Sequence, residues 1–206
     1  VAFAPDDKLI LTGRQADTAR LWDAASGQPL RTFVGHTWGV TAVAFSPDGS
    51  QVLTGSQDKT ARLWNADTGA HLRTFEGHTG QVKSVAFGPL GTLILTGSND
   101  GTARLWDAAT GQLLRVFDGH TSWVNAVAFS PDGTRALTGS ADETARLWDA
   151  SSGQLLHTFA GHTLGVNAVT FSPDGSLALT GSDDDTARLW DIASGQLVRT
   201  FVGHTL

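Results

Sequence analysis

The chain has 206 residues, enough for one sizeable domain, and its lack of cysteine excludes a disulfide framework and thiolate chemistry. A net charge of −6 argues against a general binder of nucleic acid or anionic membrane, since both need positive surface. No apolar run approaches the length of a transmembrane helix and no signal segment is present, so a cytoplasmic protein that contacts neither nucleic acid nor membrane is expected.

In chain order, Val1-Ala2-Phe3 is the first piece of a pattern that returns at Val43-Ala44-Phe45. Trp22-Asp23 follows, and its copies are Trp64-Asn65, Trp106-Asp107, Trp148-Asp149 and Trp190-Asp191. Gly35-His36-Thr37 is the second marker, repeated at Gly77, Gly119, Gly161 and Gly203 with the same 42-residue step. A fixed period of this length means one supersecondary unit copied in tandem. The chain therefore reads as a single array over 1–206, with repeats of approximately 1–42, 43–84, 85–126, 127–168 and 169–206. It contains no methionine, so it is expected to be a processed piece or, preferably, a fragment of a longer array.

Residues 121–161 show the unit in detail. Val124 to Phe129 alternates and is β-branched or aromatic at intervals, which predicts a strand. Ser130-Pro131-Asp132-Gly133 supplies turn chemistry, with Pro fixing φ and Gly accepting positive φ. Arg135 to Ser140 is the second predicted strand, Ala141-Asp142-Glu143 a tight connection, Thr144 to Trp148 the third strand and Gln154 to Phe159 the fourth. Four short strands per unit predict an all-β meander. One such sheet cannot bury both faces, so the copies must stack. Val127, Phe129, Leu137, Leu147, Trp148 and Phe159, with their equivalents, are the expected core between them.

Gly-His followed by Trp-Asp, in register across the whole chain, resembles the WD40 repeat family. The resemblance implies an all-β β-propeller of four-stranded antiparallel WD40 blades, here five per chain, that acts as a protein-interaction scaffold. It also implies a buried His–Asp–Thr–Trp hydrogen-bond network in each blade. Carried over residue by residue, the sets are His36, Thr54, Asp58 and Trp64; His78, Thr96, Asp100 and Trp106; His120, Thr138, Asp142 and Trp148; and His162, Thr180, Asp184 and Trp190. Four equivalent copies suit structure rather than catalysis, which needs one exposed, asymmetric site. Histidines 42 residues apart, with no short-range ligand pair, do not predict a metal site. No catalytic residue, metal or cofactor is expected.

The first repeat departs from the pattern. Thr12 and Trp22 are present, but Ala16 replaces the Asp and Arg14 the usual Ser. Its histidine would come from a preceding Gly-His that this sequence does not contain, and joining the two ends, within a chain or between chains, would bring His204 to Thr12 and Trp22. The same join would assemble an inner strand from the C-terminal Gly-His-Thr-Leu and the N-terminal Val-Ala-Phe, much as family members close by sharing a blade between termini.

Differences between copies mark positions that the scaffold does not dictate. One set follows Gly-His-Thr and includes Trp38, Trp123 and Leu164; the other precedes the network Asp and includes Gln57, Asn99 and Asp183, with Arg14, which stands where the other copies have Ser, beside it in the first repeat. In the family both loops lie on one rim, the top face. These residues are candidates for contact with a protein or peptide, although Trp38 and Trp123 covering an apolar blade end is the plainer alternative. The arginines Arg20, Arg62, Arg104, Arg146 and Arg188 are expected to stack or pair between blades.

Five blades is fewer than the seven most common in the family. Open ends with bare edges invite pairing with other chains, so self-association is expected, most simply as a homodimer; a closed five-blade monomer is the competitor. Near-identical copies suggest recent tandem amplification, as in large bacterial WD-repeat proteins, or an engineered consensus-like array. The competing function is a structural, nascent or engineered propeller fragment with no specific partner, whose main property is homo-oligomer assembly.

Overall fold

The computed structural model describes residues 1–13 and 17–203. Arg14, Gln15 and Ala16, and His204 with the two residues after it, lie outside the described residues. The described chain forms five four-stranded antiparallel sheets, each built from consecutive strands. Blade one comprises β1 (Ala2–Phe3), β2 (Leu9–Gly13), β3 (Thr18–Asp23) and β4 (Pro29–Val34). Blade two comprises β5 (Val40–Phe45), β6 (Gln51–Ser56), β7 (Ala61–Asn65) and β8 (His71–Phe75). Blade three comprises β9 (Val82–Phe87), β10 (Leu93–Ser98), β11 (Ala103–Asp107) and β12 (Leu113–Phe117). Blade four comprises β13 (Val124–Phe129), β14 (Arg135–Ser140), β15 (Thr144–Asp149) and β16 (Leu155–Ala160). Blade five comprises β17 (Val166–Phe171), β18 (Leu177–Ser182), β19 (Thr186–Asp191) and β20 (Leu197–Val202). The chain is thus an all-β propeller array of five blades.

The turns explain the strand boundaries. In blade four Asp132 accepts from the Thr134 amide and from Ser130 Oγ, and Gly133 takes a φ of 71° that closes the turn at low cost. At the same end, Asp149 accepts from the amides of Ser151 and Ser152 and turns the chain into β16. The 42-residue period counted from Val1 cuts through inner strands such as β5, whereas the sheets begin and end at the Gly-His segments between blades.

Successive blades pack through a recurring apolar joint. Leu137, Ala145, Leu147 and Phe159 of blade four meet Val166, Ala178, Trp190 and Ile192 of blade five in one buried cluster. The outer-strand Phe lies on the Trp of the next blade each time, with ring centroids 5.8 Å apart for Phe33 and Trp64, 5.7 Å for Phe75 and Trp106, 5.6 Å for Phe117 and Trp148 and 5.3 Å for Phe159 and Trp190. Burying each Phe contributes about 1.5–3 kcal/mol. Gly55 shows how close the blades come: a Cβ there would lie 2.8 Å from Val82 Cγ1 and from Val85 Cγ1. Phe129, expected in the core, is only partly buried because it ends its inner strand beside the turn.

Each sheet draws its four strands from one continuous stretch. Among the described residues the inner strand of blade one is β1, with Ala2 opposite Leu11 and Phe3 opposite Ile10. The expected assembly of that strand from both termini involves residues outside the described ones. The outer faces of the first and last blades are open: Phe201 is 46% exposed, against 1% for Phe33, Phe75, Phe117 and Phe159.

Candidate functional site

Four polar networks sit at the end of the blades where the Gly-His segments enter. Blade two is representative. Thr54 on β6 and Trp64 on β7 lie on neighbouring strands, and Trp64 Nε1 donates to Thr54 Oγ1 at 2.9 Å. His36, arriving between β4 and β5, places Nε2 2.7 Å from the same hydroxyl and Nδ1 2.7 Å from Asp58 Oδ2. The Thr37 amide also donates to Asp58 Oδ2, while the Thr60 amide and hydroxyl donate to Oδ1. Ser56 Oγ accepts from the Asp58 amide and donates to the Trp38 carbonyl. The carboxylate is thus held by four donors that tie the entry loop to the turn between β6 and β7. With the indole N–H occupying one hydroxyl lone pair, the hydroxyl proton goes to His36 Nε2, which assigns the Nδ1–H tautomer facing Asp58.

The structure brings together the other expected sets in the same way. His78, Thr96, Asp100 and Trp106 are joined at 2.7, 2.7 and 2.9 Å. His120, Thr138, Asp142 and Trp148 are joined at 2.8, 2.7 and 2.9 Å. His162, Thr180, Asp184 and Trp190 are joined at 2.8, 2.8 and 3.0 Å. In blade one Trp22 Nε1 donates to Thr12 Oγ1 at 2.9 Å, and the expected third member, His204, lies outside the described residues.

Burial lowers the pKa of His36 and of His120; the facing Asp opposes this and a nearby arginine, Arg62 or Arg146, reinforces it. Burial pushes Asp58 up, but donation from Thr60, His36 and the Thr37 amide outweighs it and holds the carboxyl below its usual range. Asp142 is lowered by the same balance. His36 and His120 are therefore neutral, and Asp58 and Asp142 ionised, near neutral pH. Thr54, Thr96, Thr138 and Thr180 are wholly buried, so their hydroxyls are out of reach of a substrate. Among the described residues no cluster of His, Cys, Asp and Glu is arranged to hold a metal.

The candidate contact residues stand at the same end. Trp38 is 65% exposed, Trp123 54% and Leu164 50%, so none of them covers a blade end completely. The turns carrying Gln57, Asn99 and Asp183 are fixed by backbone bonds to Gly39, Gln81 and Gly165. Trp123 and Asn99 line a polar cleft of about 240 Å³ between blades three and four, together with Gly101, Thr121 and Ser122. Asn99 Oδ1 is buried without a hydrogen-bond partner, while Asp183 accepts from Asn167 Nδ2. Arg14 is outside the described residues. Exposed Glu76, Asp118, Glu143, Asp183 and Asp185 surround this rim, against exposed Lys59 and Lys83.

A polar rung across the inner strands was not anticipated from the sequence. Thr41 Oγ1 donates to the carbonyls of Gly55 and of Val82 in the next blade. Asn125 Nδ2 donates to the Val166 carbonyl at 3.3 Å and to Asn167 Oδ1 at 3.0 Å. The available signal was a variable polar residue following the first Val of each inner strand. Of the expected stacking or pairing of the arginines between blades, pairing is the part that is not seen among the described residues. Arg62 Nη1 lies against Gly35, Arg62 Nε is buried and unpartnered, and no described arginine pairs with a carboxylate. At the opposite end, an apolar groove of about 570 Å³ runs between blades three and four, lined by Leu93, Leu105 and Leu114.

Residues 27–65, 69–107, 111–149 and 153–191 each match the WD40 family model, described as WD domain, G-beta repeat. The chain belongs to the WD40 repeat family. Each matched WD40 stretch begins before the outer strand of one blade and ends with the third strand of the next, so the sequence repeat straddles two sheets. The comparison with curated proteins found no match. WD40 repeats indicate a protein-interaction scaffold, a type that is generally non-catalytic.

Proposed function

We propose that this WD40 array is a non-catalytic scaffold whose top rim takes a protein or peptide partner and whose open ends lead it to self-associate. The observation that carries the rim reading is the exposure of Trp38 and Trp123 at 65% and 54%, on an end rich in carboxylates. Exposed indoles supply contact area at low entropic cost, and their faces attract cations. The fitting partner is a basic peptide with an apolar anchor. The His, Asp and Thr sets are spent on holding loops, and each recurs in four blades, which supports reading them as structural. The net charge of −6 speaks against nucleic acid or anionic membrane as the partner, and the absence of cysteine fits a reducing, cytoplasmic setting.

The test is a displayed library of basic and acidic peptides, read against Trp38→Ala and Trp123→Ala. The expected result is selection of basic peptides, with affinity falling roughly tenfold or more in at least one variant. Equal binding by both variants and the parent chain would refute the rim reading.

The second reading is a structural array whose main property is assembly with itself, and the bare outer faces of blades one and five favour it. Light scattering on a sizing column measures it directly. A mass of two or more chains is expected, the simplest being a homodimer; a monomer at every concentration overturns self-association.

A further inference from the structure

Blade five exposes what the other four bury. Leu179 is 37% exposed, where Leu11, Leu53, Leu95 and Leu137 are at 0%. Phe201 is 46% exposed, and Ala187 is only half-buried, where its four equivalents are at 0%. A Cβ on Gly139 would press within 2.7 Å of Val169 Cγ1 of the next blade; one on Gly181 would meet only Ala168, at 3.6 Å. Blade one carries the reciprocal lack. Ile10 and Trp22 are half-buried, where Val52, Ile94, Ala136 and Ala178 are at 0% and Trp64, Trp106, Trp148 and Trp190 are at 2–3%. Val1 and Phe3, which occupy the places of Val43 and Phe45, are 96% and 66% exposed.

We infer that the open face of blade five docks on the open face of blade one in a second copy of the chain, a fifth version of the joint found four times within it. This rests on the reading that the chain self-associates, and it specifies how. In the joint between blades four and five, Leu137, Ala145 and Phe159 face Val169, Ala178 and Trp190. The corresponding residues of the two open faces are Leu179, Ala187 and Phe201 on one and Val1, Ile10 and Trp22 on the other. Phe201 therefore has the chemistry and place to cover Trp22 as Phe159 covers Trp190. Gly181 leaves the room that Val1 would fill. The two faces are complementary rather than alike, so the contact is heterologous, and it builds a closed ring or an open filament rather than a face paired with its own copy.

The test uses Phe3→Asp and Phe201→Asp, both at exposed positions, with far-UV circular dichroism and tryptophan emission to verify folding. Masses are read by light scattering on the parent chain, on each variant and on their equimolar mixture. The parent is expected to be oligomeric, and each variant to associate roughly 10- to 100-fold more weakly, as loss of one buried Phe implies. The mixture is expected to form a one-to-one dimer and nothing larger, because each variant keeps one intact face. An oligomeric parent whose variants stay oligomeric leaves self-association standing and overturns the joint. Persistence of only the Phe3→Asp oligomer overturns it in favour of like faces pairing, and a mixture that remains monomeric also overturns it. A monomeric parent removes both readings.

Discussion

Thr138→Val tests whether the buried networks hold the blades together. Valine has the shape of threonine without the hydroxyl, so packing at this wholly buried position is almost unchanged. What is lost is the partner of Trp148 Nε1, at 2.9 Å, and of His120 Nε2, at 2.7 Å. Both would be left buried and unsatisfied, at about 1–3 kcal/mol each. The more apolar side chain returns about 1 kcal/mol. The net expectation is a loss of about 1–5 kcal/mol, centred near 3. Thr138→Ser is the control: it keeps the hydroxyl, removes one methyl and costs about 1 kcal/mol. Urea denaturation followed by tryptophan emission gives both values, provided that the slopes match and the transition is single. If Thr138→Val is no more destabilising than Thr138→Ser, hydroxyl satisfaction does not govern blade stability and the reasoning fails.

The same networks make stability sensitive to acid. His36 and His120 are lowered from 6.5, so the unfolded chain binds more protons between their lowered values and 6.5; stability is complete above about pH 6.5 and falls as the pH drops through that window. Asp58 and Asp142 are lowered from 3.8, so their contribution is present above 3.8 and lost below it. A urea midpoint measured from pH 8 to pH 3 should decline in two stages, and a flat profile from pH 7 to pH 5 would contradict the histidine assignment. Glu143 has a φ of 69° where Gly101 occupies the matching turn position at 84°, so Glu143→Gly should stabilise by about 0.5–1 kcal/mol in thermal melts; destabilisation would show that this turn is not strained. Phe159→Ala should cost about 3–5 kcal/mol, whereas Phe201→Ala, measured under dilute conditions, should cost under about 1, and equal costs would mean that the last blade is covered.

Much of the architecture was legible because one unit is written five times. Alternation and turn residues place the strands Val124 to Phe129 and Arg135 to Ser140 at their observed bounds, while the fourth strand begins one residue later than its pattern suggests. Asp149 explains the delay, since its bonds to Ser151 and Ser152 hold Gln154 in the turn. The networks were recognisable only through the family resemblance, because their members stand up to 28 residues apart, as His120 and Trp148 do, in distinct elements. The rung from Asn125 to Asn167 was harder to read: a polar residue follows the first Val of inner strands β5, β9, β13 and β17, but its type varies and its partner lies in another blade. For the arginines the sequence left stacking and pairing between blades both open, and among the described residues none pairs with a carboxylate. The guanidinium groups of Arg62, Arg104, Arg146 and Arg188 fill the space that Gly35, Gly77, Gly119 and Gly161 leave.

The segments joining one sheet to the next, from 35–39 to 161–165, are only five or six residues long. Because the joints are nearly interchangeable, their chemistry contains little information about which blade follows which. Sequence order is enforced by tethering: a short leash raises the local concentration of the adjacent blade far above that of any distant one. Lengthening a leash with glycine and serine would therefore leave every contact surface unaltered and yet scramble neighbours, with blades exchanged between molecules. In this molecule fidelity of assembly is a property of the loops, and affinity a property of the sheets.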